Sequence, residues 1–269
     1  MEDLIIVRGG GDLATGSILK LCRCAFPVLV LETMKPSSIR RNVSFSEAVY
    51  QGTQTVEGVT CVLAENEDEA RELLREKQPV MLVDPIGACI SRFAPLAVVD
   101  AILAKENLGT SKKMAPITVA LGPGFVAGMD VDAVIETARG HNLGRVLWEG
   151  QAAPNTGIPG VIGGYGKERV IHSPAEGILR NVKRITDKVQ KGDIIAIVEQ
   201  AEKQIPVTAT IDGLLRGLIR DGYPVTKGFK IADIDPRMEE YNNCFTVSDK
   251  ARCIAGGVLE AILERKGQL

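Results

Sequence analysis

Aromatic residues are scarce in this chain, making up 4% of its 269 positions, with a single tryptophan and only two histidines. So few rings leave little material for the stacking platforms on which single-stranded nucleic acids lie. No excess of one charge is present either. The 32 basic residues stand against 34 acidic ones, a formal net charge of -2, which offers no broad attraction for nucleic acid or an anionic membrane. Metal-binding cysteine pairs are also missing: the six cysteines, at 22, 24, 61, 89, 244 and 253, form no CxxC, and neither His141 nor His172 lies at zinc-ligand spacing from them. The expectation is no metal centre and no disulfide framework. No stretch approaches the roughly 20 apolar residues of a membrane span, and Met1-Glu2-Asp3 lacks the basic start of a signal peptide. These exclusions point to a cytoplasmic protein acting on a small anionic molecule, without nucleic-acid or membrane partners and open to homo-oligomerisation.

What is present is a hydrophobic content of 45%, enough for a sizeable core. The first two-thirds of the chain alternates short β-branched runs with amphipathic stretches, the pattern of βα units around a mainly parallel sheet. Strands are expected at 4–7, 27–31, 60–63, 80–83, 117–121 and 145–148. Helices are expected at 66–77, capped by Asn66, and at 95–105 and 131–139. The segment PNTGIPGVIGGYG, 154–166, breaks both periodicities and marks a boundary or a functional loop.

Beyond it lies an internal repeat with an offset of 36 residues: EGILR at 176–180 matches DGLLR at 212–216, VQKG at 189–192 matches VTKG at 225–228, and Ile195-Ala196 matches Ile231-Ala232. Neither copy alone has the apolar surface for a stable hairpin, so the two are expected to pack face to face. The repeat resembles the barrel-sandwich hybrid of biotinyl and lipoyl domains over about 171–235. The residues flanking Lys203 lack the pattern of those carriers, so a solvated turn lysine is favoured over a modified one. The expected organisation is a Rossmann-like α/β domain (1–166), a small all-β barrel-sandwich hybrid module (167–237) and a C-terminal helix from Ser248 that packs back on the first domain (238–269).

Several motifs carry possible chemistry. The first strand runs into Gly9-Gly10-Gly11-Asp12-Leu13-Ala14, which fits GxGxxA, and Glu32 ends the second strand where a dinucleotide fold places its ribose-binding carboxylate. NAD(P) is the cofactor this pair suggests. Against it, Asp12 would repel a phosphate unless turned away as a helix cap. Gly122 and Gly124 form a second glycine turn after a strand. Between 139 and 145, Arg139, His141 and Arg145 bring two guanidiniums and an imidazole together, a set suited to an anion. A helix C-terminus capped by Gly140 explains only part of that cluster. Asn155 and Thr156 add polar groups. Arg40 and Arg41 either extend the positive surface or begin a solvated helix. Cys89 follows a strand, where a thiolate would accept sulfur or selenium, although most free cysteines are buried hydrophobes. His141 and Cys89 are the catalytic candidates, and His172 is read as structural.

Taken together, VRGGGDLATG (7–16), RRNVSFSEAVYQG (40–52), LGPGFVAGMD (121–130), IETARGHNLGRV (135–146), PNTGIPG (154–160) and IDGLLRGLIRDGYPVTKGFKIADIDPR (211–237) resemble the YqeB-type accessory proteins of the selenium-dependent molybdenum hydroxylase system. Those proteins are related in function to XdhC-type factors. The resemblance implies a maturation factor handling the molybdenum cofactor (molybdopterin) or its selenium, with a molybdenum hydroxylase apoenzyme as partner. The alternatives are an NAD(P)-binding oxidoreductase and a non-enzymatic carrier or scaffold with a lipoyl-like docking module.

Overall fold

A computed structural model describes residues 2–157, 159–201 and 203–269. The chain forms two compact units. Unit 1 comprises 1–36, 44–156 and 247–269, and unit 2 comprises 37–43 and 157–246. The boundaries therefore fall at 156/157 and 246/247 rather than at 166 and 237, and a seven-residue segment near the N-terminus belongs to unit 2.

Unit 1 is built on β1 (Ile5–Arg8), β2 (Val28–Glu32), β3 (Thr53–Val56), β4 (Val59–Leu63), β5 (Val80–Val83), β6 (Ala97–Asp100), β7 (Ile117–Leu121), β8 (Ala133–Ile135) and β9 (Val146–Leu147). They form one sheet of order β3-β4-β5-β2-β1-β6-β7-β8-β9. The interior pairings are parallel, while β3-β4 and β8-β9, at the two edges, are antiparallel. Both faces are covered, so the central strands are largely apolar; β1, β6 and β7 are buried at every position, Arg8, Asp100 and Thr118 included.

The helices are α1 (Asp12–Arg23), the single turns α2 (Ala48–Gln51) and α4 (Ile90–Phe93), α3 (Glu67–Leu73) between them, and α5 (Asp249–Lys266). On one face Ala70, Leu74, Ile90 and Phe93 pack on Ile6, Leu29, Leu31 and Leu82. α5 packs along α1 and reaches β7, β8 and β9. A Cβ at Gly16 of α1 would stand 2.8 Å from the carbonyl oxygen of Ala251, so the two backbones nearly touch. Ser248 caps α5 by accepting from the Ala251 N–H.

The Rossmann-like expectation is corrected by this topology. The sheet is mixed, and no α-helix lies in the connections from β6 to β7 or from β7 to β8, all of whose residues are described. The helices expected at 95–105 and 131–139 are instead organised around β6 and β8. Both segments are rich in Ala and Val, and a short apolar run buried on every side satisfies helical and strand spacing equally, so periodicity alone misassigns it.

Unit 2 contains β10 (Val170–His172), β11 (Gly177–Asn181), β12 (Lys188–Val189), β13 (Ile194–Gln200), β14 (Lys203–Thr208), β15 (Gly213–Leu218), β16 (Pro224–Val225) and β17 (Lys230–Asp235). They form two four-stranded antiparallel sheets, β10-β17-β15-β12 and β14-β13-β11-β16. The strands starting at 177, 188 and 194 reappear at 213, 224 and 230. The short strands change partners: β12 of the first copy pairs with β15 of the second, and β16 of the second pairs with β11 of the first. The barrel-sandwich hybrid of two stacked hairpin copies is therefore replaced by two sheets joined through strand exchange. Exchange lets each copy close the other's sheet and bury Leu179, Val198, Leu215 and Ile234 in one core. Lys203, exposed, opens β14 opposite Gln200.

Candidate functional site

The carboxyl ends of β1, β2 and β6 carry Arg8, Glu32 and Asp100. After β1 the glycine turn is not an open phosphate cradle. Gly9 has φ +94, and a Cβ there would lie 3.0 Å from the carbonyl oxygen of Ala101; one at Gly10 would lie 2.9 Å from the Met81 methyl and 3.0 Å from the Ser46 nitrogen. Residues 44–47, all buried, fill this side: Ser46 N–H donates to the Gly10 carbonyl at 2.8 Å, and Phe45 N–H to the Thr15 hydroxyl at 2.9 Å. The Gly10 N–H, which would meet a pyrophosphate, donates to Glu32 Oε2 at 2.8 Å, and Thr33 N–H donates to Oε1 at 2.7 Å. Burial pushes the Glu32 carboxyl up, against these two hydrogen bonds. In the turn from Gly9 to Asp12, Gly9 thus packs on Ala101, Gly10 on Met81 and Ser46, and Glu32 takes the Gly10 N–H that an NAD(P) pyrophosphate would need.

Beneath the turn, Arg8 and Asp100 form a buried ion pair at 3.7 Å. The Thr110 hydroxyl bridges them, accepting from Arg8 and donating to Asp100 Oδ2, and Arg8 Nη2 donates to the Pro85 carbonyl at 3.2 Å. Cys89 is also buried. Burial, followed by the hydrogen bond and charge of Asp84, pushes its thiol up to about 12, which removes the thiolate that sulfur or selenium transfer requires.

The connection from β8 to β9 is different. Glu136 N–H donates to the Arg145 carbonyl at 2.9 Å and Gly144 N–H to the Glu136 carbonyl at 2.8 Å, closing a loop at its base. The Glu136 carboxylate accepts from the N–H of Ala138 at 2.6 Å and of Ala153 at 2.8 Å. α5 clamps this loop: a Cβ on Gly257 would sit 2.1 Å from the Gly144 carbonyl oxygen, and the Cys253 thiol donates to the Leu143 carbonyl at 3.0 Å. What the loop presents outward is Arg139, His141 and Arg145, all exposed. Arg139 reaches Asp249 in the first turn of α5 at 3.1 Å. Beside Asp249, Lys250 is half-buried; burial and then the charge of Arg139 lower its ammonium below the usual lysine range, against Asp12, Glu136 and Asp249.

Arg139, His141 and Arg145 therefore share one loop, from which Arg139 reaches the start of α5, and Asp12 lies within electrostatic reach of Lys250. Gly122 and Gly124 do not form a second open wall: Cβ atoms there would meet the Thr137 hydroxyl at 2.6 Å and the Glu106 nitrogen at 2.7 Å. Asn155 and Thr156 are exposed near the end of the central stretch of unit 1, and Ile158 lies outside the described residues. Arg40 and Arg41 belong to unit 2, where Arg40 donates to the carbonyls of Asn243 and Thr246 and Arg41 to that of Leu218 at 2.7 Å. Lys250, Asp249 and the Arg8–Asp100 pair were missed from the sequence. The cap at Ser248 signals the start of α5, but nothing local signals which residues lie beside it. Among the described residues no group of three or more His, Cys, Asp or Glu side chains is placed to hold a metal ion, and no helix is long and apolar enough to cross a membrane.

No family model matches the chain. It is 51% identical over 263 residues to the uncharacterized protein YqeB of Escherichia coli (strain K12). The match takes in 97% of this chain and 48% of that protein, so the chain spans about half the length of the curated relative it matches. The resemblance to YqeB-type proteins thus holds, while the relative's printed name carries no selenium or molybdenum role. Solved structures matched by shape include an aspartoacylase family protein of Mesorhizobium loti MAFF303099, at 12% identity over 86% of this chain and 84% of that one with a TM-score of 0.27. The product-bound ectoine utilization protein EutE (DoeB) of Ruegeria pomeroyi matches at 11%, 86%, 84% and 0.28. A succinylglutamate desuccinylase/aspartoacylase of Rhodobacter sphaeroides matches at 12%, 86%, 85% and 0.27. Scores at this level assign this chain neither a fold nor a reaction.

The expected maturation factor for molybdenum hydroxylases is corrected accordingly. The relative is named only as uncharacterized, and burial with Asp84 pushes up the Cys89 thiol, the candidate carrier of sulfur or selenium. The NAD(P)-binding oxidoreductase loses its phosphate turn to residues 44–47. The lipoyl-like carrier loses its barrel-sandwich module to the strand-exchanged sheets.

Proposed function

We propose that the protein binds a small anionic metabolite on unit 1, in the corner formed by the β8–β9 loop and the first turn of α5. The observation that carries this reading is the meeting of Arg139 with Asp249 beside a half-buried Lys250, on a loop held rigidly against the helix by Gly144, Gly257 and Cys253. The positive end of an 18-residue helix adds to these cations. Arg139 and Arg145 supply guanidinium donors, His141 an imidazole, and Lys250 an ammonium that loses its proton more readily than an ordinary lysine.

The test is isothermal titration with inorganic phosphate and citrate against the Arg139→Ala/His141→Ala double variant. Binding of at least one anion is expected to weaken by about tenfold or more, with little change in Tm, because an exposed pair such as Arg139–Asp249 contributes about 0–1 kcal/mol. Affinity is also expected to fall with rising pH before the usual lysine range is reached, as Lys250 deprotonates. Unchanged affinity in the double variant overturns the reading.

A further inference from the structure

At the opposite end of α5, beside the amino end of β8, unit 1 contains a cavity of about 220 Å³ lined by Gly128, Asp132, Trp148, Glu264, Arg265 and Gln268. Asp132 organises it. One of its oxygens, Oδ2, accepts both the N–H and the hydroxyl of Thr118 at 2.8 Å. The other, Oδ1, faces two cations: Arg265, which lines the cavity, at 3.5 Å, and Lys112 at 3.3 Å, which adjoins the lining through Asp132 and through the Gly128 carbonyl it donates to at 3.4 Å. Burial would raise this carboxyl, but the Thr118 hydrogen bonds and Lys112 hold it below its ordinary range, so it is ionised at neutral pH. A single carboxylate oxygen held at these distances leaves the two cations with positive charge to share.

The remaining wall has the opposite sign. Glu264 lines it, and α5 ends at Lys266, directing the negative end of its dipole to this side. The indole of Trp148 also lines the cavity, its ring centre 5.5 Å from the Arg265 guanidinium, which Gln268 steadies by accepting at 2.9 Å. A lone anion would meet Glu264 and the helix end, and a lone cation would meet Lys112 and Arg265. A guest carrying both charges, on groups bonded to one carbon, satisfies both. We propose that this cavity binds a free α-amino acid with an apolar side chain: its carboxylate on Arg265 and Lys112, its ammonium toward Glu264, its side chain against Trp148. This site uses none of the residues of the β8–β9 loop.

Trp148 is the only tryptophan, so its fluorescence reports the cavity without labels. The full chain is titrated with L-leucine, with 4-methylpentanoate, which lacks the ammonium, and with isoamylamine, which lacks the carboxylate. Leucine is expected to give a saturable change, and each single-charge analogue to need about tenfold higher concentration or more. Arg265→Gln, and separately Lys112→Gln as a change that leaves the contact with the indole in place, are expected to weaken leucine binding by a similar factor. No saturable response to leucine, an analogue that binds as tightly, or full affinity in both Arg265→Gln and Lys112→Gln overturns the proposal.

Discussion

Both units bury arginine against aspartate, but only unit 1 also carries a cluster of arginines outward on one loop. In unit 2, Arg169 is buried, pairs with Asp233 at 3.2 Å and donates to the carbonyls of Ile234 and Gly160. Asp235, fully enclosed, is held by Arg237 at 2.8 Å and Arg216 at 3.5 Å. These charges join strands, and each is occupied in doing so. Unit 1 buries Arg8–Asp100 in the same manner but holds Arg139, His141 and Arg145, all exposed, on a loop whose backbone is fastened to α5 and of which Arg139 also meets the exposed Asp249. The difference teaches where to look for ligand chemistry: a charge whose partners are used up by the fold stabilises it, and a charge carried outward on a rigid backbone is available to something else.

The sharpest way to break this comparison is to remove a buried partner. Arg8→Met leaves the buried Asp100 without its cation, held only by the Thr110 hydroxyl and the Ile102 N–H, and is expected to cost about 3–5 kcal/mol, read by denaturant unfolding; Arg169→Met in unit 2 should fall in the same range. A loss below about 1 kcal/mol in either would show that the pair is not desolvated as its burial indicates.

A smaller effect separates the units by function. Gly257→Ala drives a methyl group into the Gly144 carbonyl, and Gly213→Ala drives one into the carbonyl of Asp235, 2.4 Å away. Each is expected to cost about 1–3 kcal/mol through overpacking, but only Gly257→Ala should weaken phosphate or citrate binding, because it displaces the loop bearing Arg139 and His141. Equal effects on binding would erase the distinction between the two units.

The smallest effect is a response to acid. In unit 2 burial raises the Asp235 carboxyl, but hydrogen bonds and charge from Arg237, joined by Arg216, hold it below its ordinary 3.8. Asp132 in unit 1 is held low by Thr118 and Lys112. A carboxyl whose folded value is depressed contributes stability above its unfolded value and loses it as pH falls through the folded one. Tm is therefore expected to drop below about pH 4, and Asp235→Asn, less stable at neutral pH, should lose less on acidification than the parent chain.

Much of unit 1 could be read along the chain. The runs 4–7, 80–83 and 117–121 become strands, and Asn66 caps α3 by accepting from the Glu69 N–H. Composition failed at 95–105 and 131–139, where apolar runs carry no period that separates helix from strand. The GxGxxA motif left a phosphate cradle and a tight strand-to-helix turn as alternatives; what packs on its Gly10 is a segment more than thirty residues away. At the candidate site the sequence brought Arg139, His141 and Arg145 together because they are neighbours in the chain, and missed Lys250 because it arrives from the C-terminal helix.

What the sequence determined by itself is local: where turns bend, where a helix can start, and the offset of 36 residues at which unit 2 repeats its strands. What only the tertiary structure decided is pairing over distance: the exchange of β12 and β16 between the repeats, the filling of the glycine turn by residues 44–47, and the meeting of α5 with the β8–β9 loop. Backbone conformation depends on near neighbours along the chain. Burial and charge environment depend on whatever the fold brings within a few ångströms, and that information is spread over the whole chain.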